Sequence, residues 1–379
     1  MRPCFTRAHA LPIAACHPGQ YHKLIKPLSY VAPPGRSNGE LLYCLKNIGA
    51  TYPDWSGARK KRLPNAPVGV PRAARVPLDY NPMVKTNPSP FARPRLLLIG
   101  CGDVGMRLLP LLCARFRVFA VTRDLDRMAP LRAAGAVPVL ADLDRPASLA
   151  RLRGLATCVV HLAPPRPESA LDARTRRLTA ILSAGTHLVY VSTSGVYGDC
   201  GGAVIDETRP VAPKNARAAR RVDAEQVLRA WARRTGGSAA ILRVPGIYAR
   251  DRLPMKRLHE GTPALCAQDD VYTNHIQADD LARIVALALF RARPGRVYHA
   301  SDDTRLKMAD YFDAVADAFN LPRAPRLPRA ELKERVSPVL MSYMSESRRL
   351  DNTRMRRELG VRLRYPDVQH ALAQWALLE

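Results

Sequence analysis

Arg95-Leu-Leu-Leu-Ile-Gly100-Cys-Gly102-Asp-Val-Gly105-Met-Arg-Leu-Leu109 decides the fold of this chain. The apolar run before the glycines reads as a strand buried on both faces, and the apolar pattern resumes after them with helical spacing. Each glycine has its own physical reason. The first turns the chain tightly off the strand, the second keeps a side chain away from a pyrophosphate, and the third lets helix pack on strand. The N–H groups that open the helix then face such a ligand from the positive end of the helix dipole. A second strand, Arg117-Val-Phe-Ala-Val-Thr122, ends roughly 20 residues on, where a dinucleotide's ribose is read. The stretch predicts a bound dinucleotide touched by Gly100, Gly102, Asp103, Val104 and Gly105.

From Arg93 onward strand and helix alternate, which predicts an α/β protein with a doubly wound parallel sheet of Rossmann type, covered on both faces. Strands are expected at Leu96–Ile99, Val118–Val121, Val137–Leu140, Cys158–Leu162, Leu188–Ser192 and Ala240–Arg243. Helical stretches are expected at Val104–Ala114, Leu125–Ala134, Leu171–Ser183 and Asp223–Arg234. The last hundred residues change character, with Pro322, Pro325, Pro328 and Pro338 around short helices. They predict a small irregular C-terminal substrate lobe, built mainly from about 245–275 and 305–345 and folded over the sheet's carboxyl edge, so that residues 93–379 form one dinucleotide-binding domain with its lobe. Upstream, 14 of the 33 prolines precede Phe91. With the basic cluster Arg59-Lys-Lys-Arg62, residues 1–92 read as a disordered Pro/Arg-rich extension that cannot offset its ordering entropy. An arm, a targeting peptide and translated upstream sequence are the three readings. The last is the expectation, because Met83 stands just ahead of the first strand.

The chain has 379 residues, 47% of them hydrophobic, enough for a full core, and a net charge of +26. That charge is mostly arginine and is spread along the chain rather than gathered into a stripe, so it predicts an evenly basic surface. Without zinc-finger spacing, an RRM signature or a recognition helix, no nucleic-acid partner is expected. An anionic substrate or a phosphorylated cofactor suits such a surface. The eight cysteines form no CxxC pair and read as reduced thiols, with no metal site expected. No apolar run approaches the ~18 residues that span a bilayer. The expectation is a cytoplasmic protein, monomer or homodimer, without a membrane partner.

At the cofactor end, the second strand finishes in Thr122-Arg123. An acidic residue there would bind a ribose 2′-hydroxyl, whereas Arg123 offers a fork of donors to a 2′-phosphate, so NADP is expected, with NAD the alternative. Asp142 and Leu143 follow the third strand, where adenine contacts sit, and Ala163 follows the fourth, where a small residue lets the cofactor lie flat.

Five further blocks carry a family resemblance: Leu188-Val-Tyr-Val-Ser192-Thr193-Ser194-Gly-Val196-Tyr197-Gly198, Asp206-Glu207-Thr-Arg-Pro210, Ala224-Glu225, Leu242-Arg243-Val-Pro-Gly246-Ile-Tyr248 and His275-Ile-Gln-Ala-Asp279-Asp280-Leu281. Together they resemble the NAD-dependent epimerase/dehydratase branch of the short-chain dehydrogenase/reductases, in its atypical form, from Arg95 to the C-terminus. The resemblance implies a Ser or Thr that holds the substrate oxygen, a Tyr that moves a proton, and a Lys that lowers the phenol's pKa and holds the nicotinamide ribose. Thr193 matches the first. The family's Tyr and Lys positions are Arg217 and Arg221, and the chain has no tyrosine between Tyr197 and Tyr248.

A guanidinium, with a pKa above ~12, gives no proton back, although Arg221 still holds a ribose or phosphate as a cation. Thr193 and Tyr197 are therefore the candidate catalytic pair, with Arg243 and Tyr248 expected to line the substrate pocket. His275 reads as structural, ahead of a helix capped by Asp279 or Asp280, and Asp206 and Glu207 read as a solvated loop pair. The leading expectation is an NADP-linked oxidoreductase acting on a small polar carbonyl or hydroxyl compound. A non-catalytic NADP-binding redox sensor and a nucleotide-sugar epimerase or dehydratase are the alternatives.

Overall fold

The computed structural model describes residues 93–377, which lie in one compact unit. The extension expected over 1–92, with its three readings, lies outside the described residues.

Seven parallel strands make the main sheet: β1 (Arg95–Ile99), β2 (Arg117–Thr122), β3 (Val137–Leu140), β4 (Cys158–His161), β5 (His187–Thr193), β6 (Ser238–Val244) and β7 (Val297–His299). Their spatial order is β7-β6-β5-β4-β1-β2-β3. Leu96 of β1 pairs with Val118 on one side and Cys158 on the other, so the winding reverses at β1. In such a sheet ligands bind outside the carboxyl ends at that reversal.

The apolar run of β1 feeds two cores because successive side chains face opposite ways. Leu96 and Leu98 pack with Leu108, Leu109 and Leu112 of the helix Asp103–Cys113 and with Leu281 and Val285 of the helix Ala278–Arg291. Leu97 and Ile99 enter the opposite core with Leu178, Leu228 and Trp231. The doubly wound class read from the sequence is the class observed.

Details differ. The edge strand β7 is three residues long, too short to show a pattern. The helix expected from Asp223 starts at Ala216 and runs to Thr235, because the Asn215 side chain accepts from the Ala218 N–H at 2.9 Å. Ala278–Arg291 is capped by Gln277, whose Oε1 accepts from the N–H groups of Asp279 and Asp280, rather than by either aspartate. The lobe has its own core of Leu258, Leu265, Phe312, Val315, Leu332 and Met344. It also recruits Val368, Leu372 and Trp375 of the helix Val368–Ala376, beyond the ranges expected for it.

Candidate functional site

The three glycines of the turn separate cleanly. Gly100 has φ +86°, and a Cβ built on it would lie 2.5 Å from the backbone N of Ala163. Both the turn and the approach of the β4 loop therefore need glycine. A Cβ on Gly105 would press to 3.2 Å from Cys101 Sγ and 3.3 Å from the Gly100 carbonyl, the close helix–strand contact expected of it. Gly102 is different: with φ −79° and ψ −152° its backbone suits any residue, and a Cβ meets nothing within 4 Å.

Asp103 opens the helix, paired with Arg107 and Arg252, and Val104 packs partly buried on the sheet core. Arg107 reaches three carboxylates at once, Asp103 and Asp251 at 3.0 Å and Asp279 at 2.9 Å. Arg127, which sequence reasoning passed over, donates to the Cys101 carbonyl at 2.8 Å and braces the turn from the β2 side. Only the fold brings those residues together, so nothing in the local pattern announces the contact.

A cleft of about 1250 Å³ runs from Arg123, Asp142 and Arg145 past Pro164, Thr193 and Arg221 to Tyr248, His275 and Tyr311 of the lobe. Arg123 and Arg145 are exposed on its wall. Thr122 turns its hydroxyl to the backbone of Asp124. Ala163, beneath Gly100, is the small residue on which that close approach depends. Leu143 departs from expectation: it is buried in the core beside Leu149 and Leu152, as its apolar side chain and the turn after β3 dictate, and does not line the cleft.

Thr193 ends β5 in the cleft wall, its hydroxyl accepting from the Gly195 N–H at 3.2 Å. Arg221 also lines the cleft. Its Nη1 donates to the Tyr190 hydroxyl at 2.9 Å and the Val191 carbonyl at 2.8 Å. Arg217 lies over the Tyr343 ring and donates to that hydroxyl, bridging to the lobe.

Tyr197 and Arg243 are not in the cleft. Tyr197 is 1% exposed, its hydroxyl hydrogen-bonded to His299 Nε2 at 2.5 Å and accepting from Arg243 Nη1 at 2.7 Å. Arg243 holds Glu225 side-on through Nε and Nη2, and the Ser192 hydroxyl donates to Glu225 as well. Burial pushes the Tyr197 phenol up to about 12 against the lowering effect of the Arg243 cation. The pair expected at the reacting carbon and in the substrate pocket is instead the centre of a buried polar network behind it. Glu207 likewise leaves the solvated loop expected for it: buried, it accepts from the His299 N–H at 2.9 Å and pairs with Arg354.

Tyr248 and His275 do reach the cleft wall. The His275 ring packs at a tilt against Tyr311, centroids 4.3 Å apart, and burial holds its pKa down at about 3. Asp302, whose N–H donates to the His275 carbonyl, is pushed up to about 7 by burial, and the Tyr248 phenol is raised by burial and by that carboxyl. Burial also depresses His161 to about 3 and His299 to about 4. In the unfolded chain such histidines take a proton near the ordinary value of about 6.5. Their contribution is therefore complete above that pH and is lost as acid approaches the folded values. Asp302 works the other way, losing stability as pH rises from its unfolded value to about 7, but three histidines outweigh it. The urea midpoint is expected to be lower at pH 5 than at pH 7.5, and a flat profile across that interval would contradict these buried neutral rings.

Sheet order, glycine turn and cleft together define a Rossmann-type protein of the short-chain dehydrogenase/reductase kind. Residues 172–374 match the model of the RmlD substrate binding domain, and the chain belongs to that family, within the NAD-dependent epimerase/dehydratase superfamily. Among solved structures, it is 30% identical to a functionally unknown conserved protein from Silicibacter pomeroyi, covering 74% of this chain and 97% of that one with a TM-score of 0.63. A dTDP-glucose 4,6-dehydratase from Streptomyces venezuelae, solved with NAD bound, shares the fold at 22% identity and a TM-score of 0.60, covering 75% and 96% of the two chains. So does a UDP-N-acetylglucosamine 4-epimerase from Bacillus cereus, at 16% identity and a TM-score of 0.54, covering 75% and 98%. No curated protein matches significantly. Among the described residues no helix is long and apolar enough to cross a membrane.

Proposed function

We propose that the protein binds NADP across the carboxyl edge of the sheet and uses it as an oxidoreductase on a small polar carbonyl or hydroxyl compound seated against the lobe. Gly102 carries the reading. Neither its backbone conformation nor its surroundings in the protein call for glycine, whereas a pyrophosphate laid against the opening N–H groups of the helix does. Arg123 and Arg145, exposed on the cleft wall near the ends of β2 and β3, suit a 2′-phosphate.

When bound, the reduced nicotinamide supplies a hydride. The proton needs a group of this chain other than Arg217, Arg221 or Tyr197. Tyr248 stands in the cleft wall with Asp302 behind it. A phenol that passes its proton to the substrate oxygen is reprotonated from a carboxyl poised near neutral pH. A second reading, dinucleotide binding without turnover, draws on Arg217 and Arg221 standing at the relay positions, each engaged with a tyrosine. An epimerase or dehydratase, the activities in the names of two similar structures, is a third reading; with guanidiniums at the relay positions it too would need Tyr248 to exchange the proton.

Melting temperatures measured in parallel with NADP and NAD test the reading. NADP is expected to act at lower concentration, and Arg123→Ala to cost it about tenfold or more in affinity while leaving NAD unchanged, since a charge-assisted hydrogen bond contributes about 1.5–3 kcal/mol. No shift with either nucleotide overturns the reading. NADPH oxidation with carbonyl compounds is expected to cease in Tyr248→Phe with the melting shift retained; unchanged turnover removes Tyr248 from the proton path.

A further inference from the structure

Arg257, from the short helix Met255–His259, is set apart from the other arginines of the cleft. Its guanidinium lies over the Phe312 ring, 4.3 Å from the centroid, and its Nε and Nη2 are both buried with no acceptor among the described residues. Elsewhere in the molecule that edge grips a carboxylate side-on: Arg174 on Asp144, Arg243 on Glu225 and Arg323 on Asp317 all use Nε and Nη2 together. A cation withdrawn from water without a counter-charge is costly, and burial accordingly depresses the pKa of Arg257.

The surroundings point the same way. Met308, Tyr311 and Phe312 give the cleft a largely apolar wall beside this guanidinium. His275 Nε2, on a side chain 5% exposed, also lacks a partner among the described residues. One fixed positive charge with a bidentate edge, neutral polar groups and an aromatic wall match a flat monoanion. Arg252 and Arg348 of the same cleft are already paired, with Asp103 and Glu346, so the single charge of a carboxylate suits the open edge of Arg257 better than the two of a phosphate dianion.

We propose that Arg257 forms a carboxylate subsite, its Nε and Nη2 taking the two oxygens of a substrate carboxylate whose apolar part lies against Phe312 and Tyr311. The substrate class is then a carboxylic acid that also carries the reacting carbonyl or hydroxyl. This rests on the NADP-linked reading above, with the acid lying beyond the dinucleotide in the same cleft.

Calorimetric titration of the full chain, saturated with NADP, tests it with benzoate as the anionic probe and benzamide as its uncharged counterpart. Benzoate is expected to bind at least tenfold more tightly than benzamide. Arg257→Met should abolish that preference, and Arg257→Lys, which keeps the charge but not the fork, should restore only part of it. Without benzoate, Arg257→Met is expected to melt higher than the wild type, because it removes a buried cation that the protein does not pair. Silence from benzoate, equal binding of the two probes, or benzoate binding undiminished in Arg257→Met overturns the subsite. Inorganic phosphate displacing benzoate more strongly than acetate does overturns the carboxylate assignment. The NADP-induced melting shift, read in the same variants, is expected to be unchanged, so a failed subsite is distinguishable from a failed dinucleotide site.

Discussion

Gly102→Val should lose NADP by about 100-fold or more while melting within about a degree of the wild type, because the added side chain stands where the pyrophosphate approaches and nowhere else. Gly100→Ala should do the reverse damage. A Cβ there would lie 2.5 Å from the Ala163 N and 2.7 Å from its Cα, on a backbone with φ +86°. Left-handed strain and overpacking together are expected to remove about 2–5 kcal/mol of folding stability. Urea unfolding and nucleotide titration on the two variants separate the effects. A Gly102→Val protein that still binds NADP normally would take the phosphates out of this turn.

The second large effect lies in the network behind the cleft. Glu225 is 1% exposed and Arg243 is 3% exposed, and removing one partner strands the other. Glu225→Ala is expected to cost about 3–5 kcal/mol, leaving the Arg243 guanidinium and the Ser192 hydroxyl without their acceptor. Replacing both members, as in Glu225→Leu with Arg243→Met, should recover part of that loss, since two apolar side chains no longer bury a lone charge. The recovery stays incomplete because the Ser192 hydroxyl lacks Glu225 in either background and the double variant also takes Arg243 from the Tyr197 hydroxyl. Additive losses in the double variant would mean that the pair is not the unit of stability here.

That network also marks where reading along the chain stops. The central strands were legible because burial on both faces leaves runs such as Leu96–Ile99 and Leu188–Val191 apolar throughout, and the glycine turn was legible because three glycines fall within six residues between an apolar strand run and a helical one. Tyr197 was not. Its local pattern places it beside a cleft, and only Arg243 and His299, 46 and 102 residues on, draw its hydroxyl inward. Leu143 went the same way, since an apolar residue after a strand is equally suited to a ligand's ring and to a core. Arg257 carries no signal in an arginine-rich chain. What distinguishes it is a partner it does not have, and that is a property of the folded neighbourhood rather than of spacing.

Arg107 joins the start of the helix Asp103–Cys113, the segment leading into the lobe and the first turn of Ala278–Arg291 through three carboxylates. One guanidinium divided among three claimants behaves as a common fulcrum: tightening any one contact draws on the others. Salt in the buffer is therefore expected to loosen the three segments together, since the junction stands at the molecule's rim.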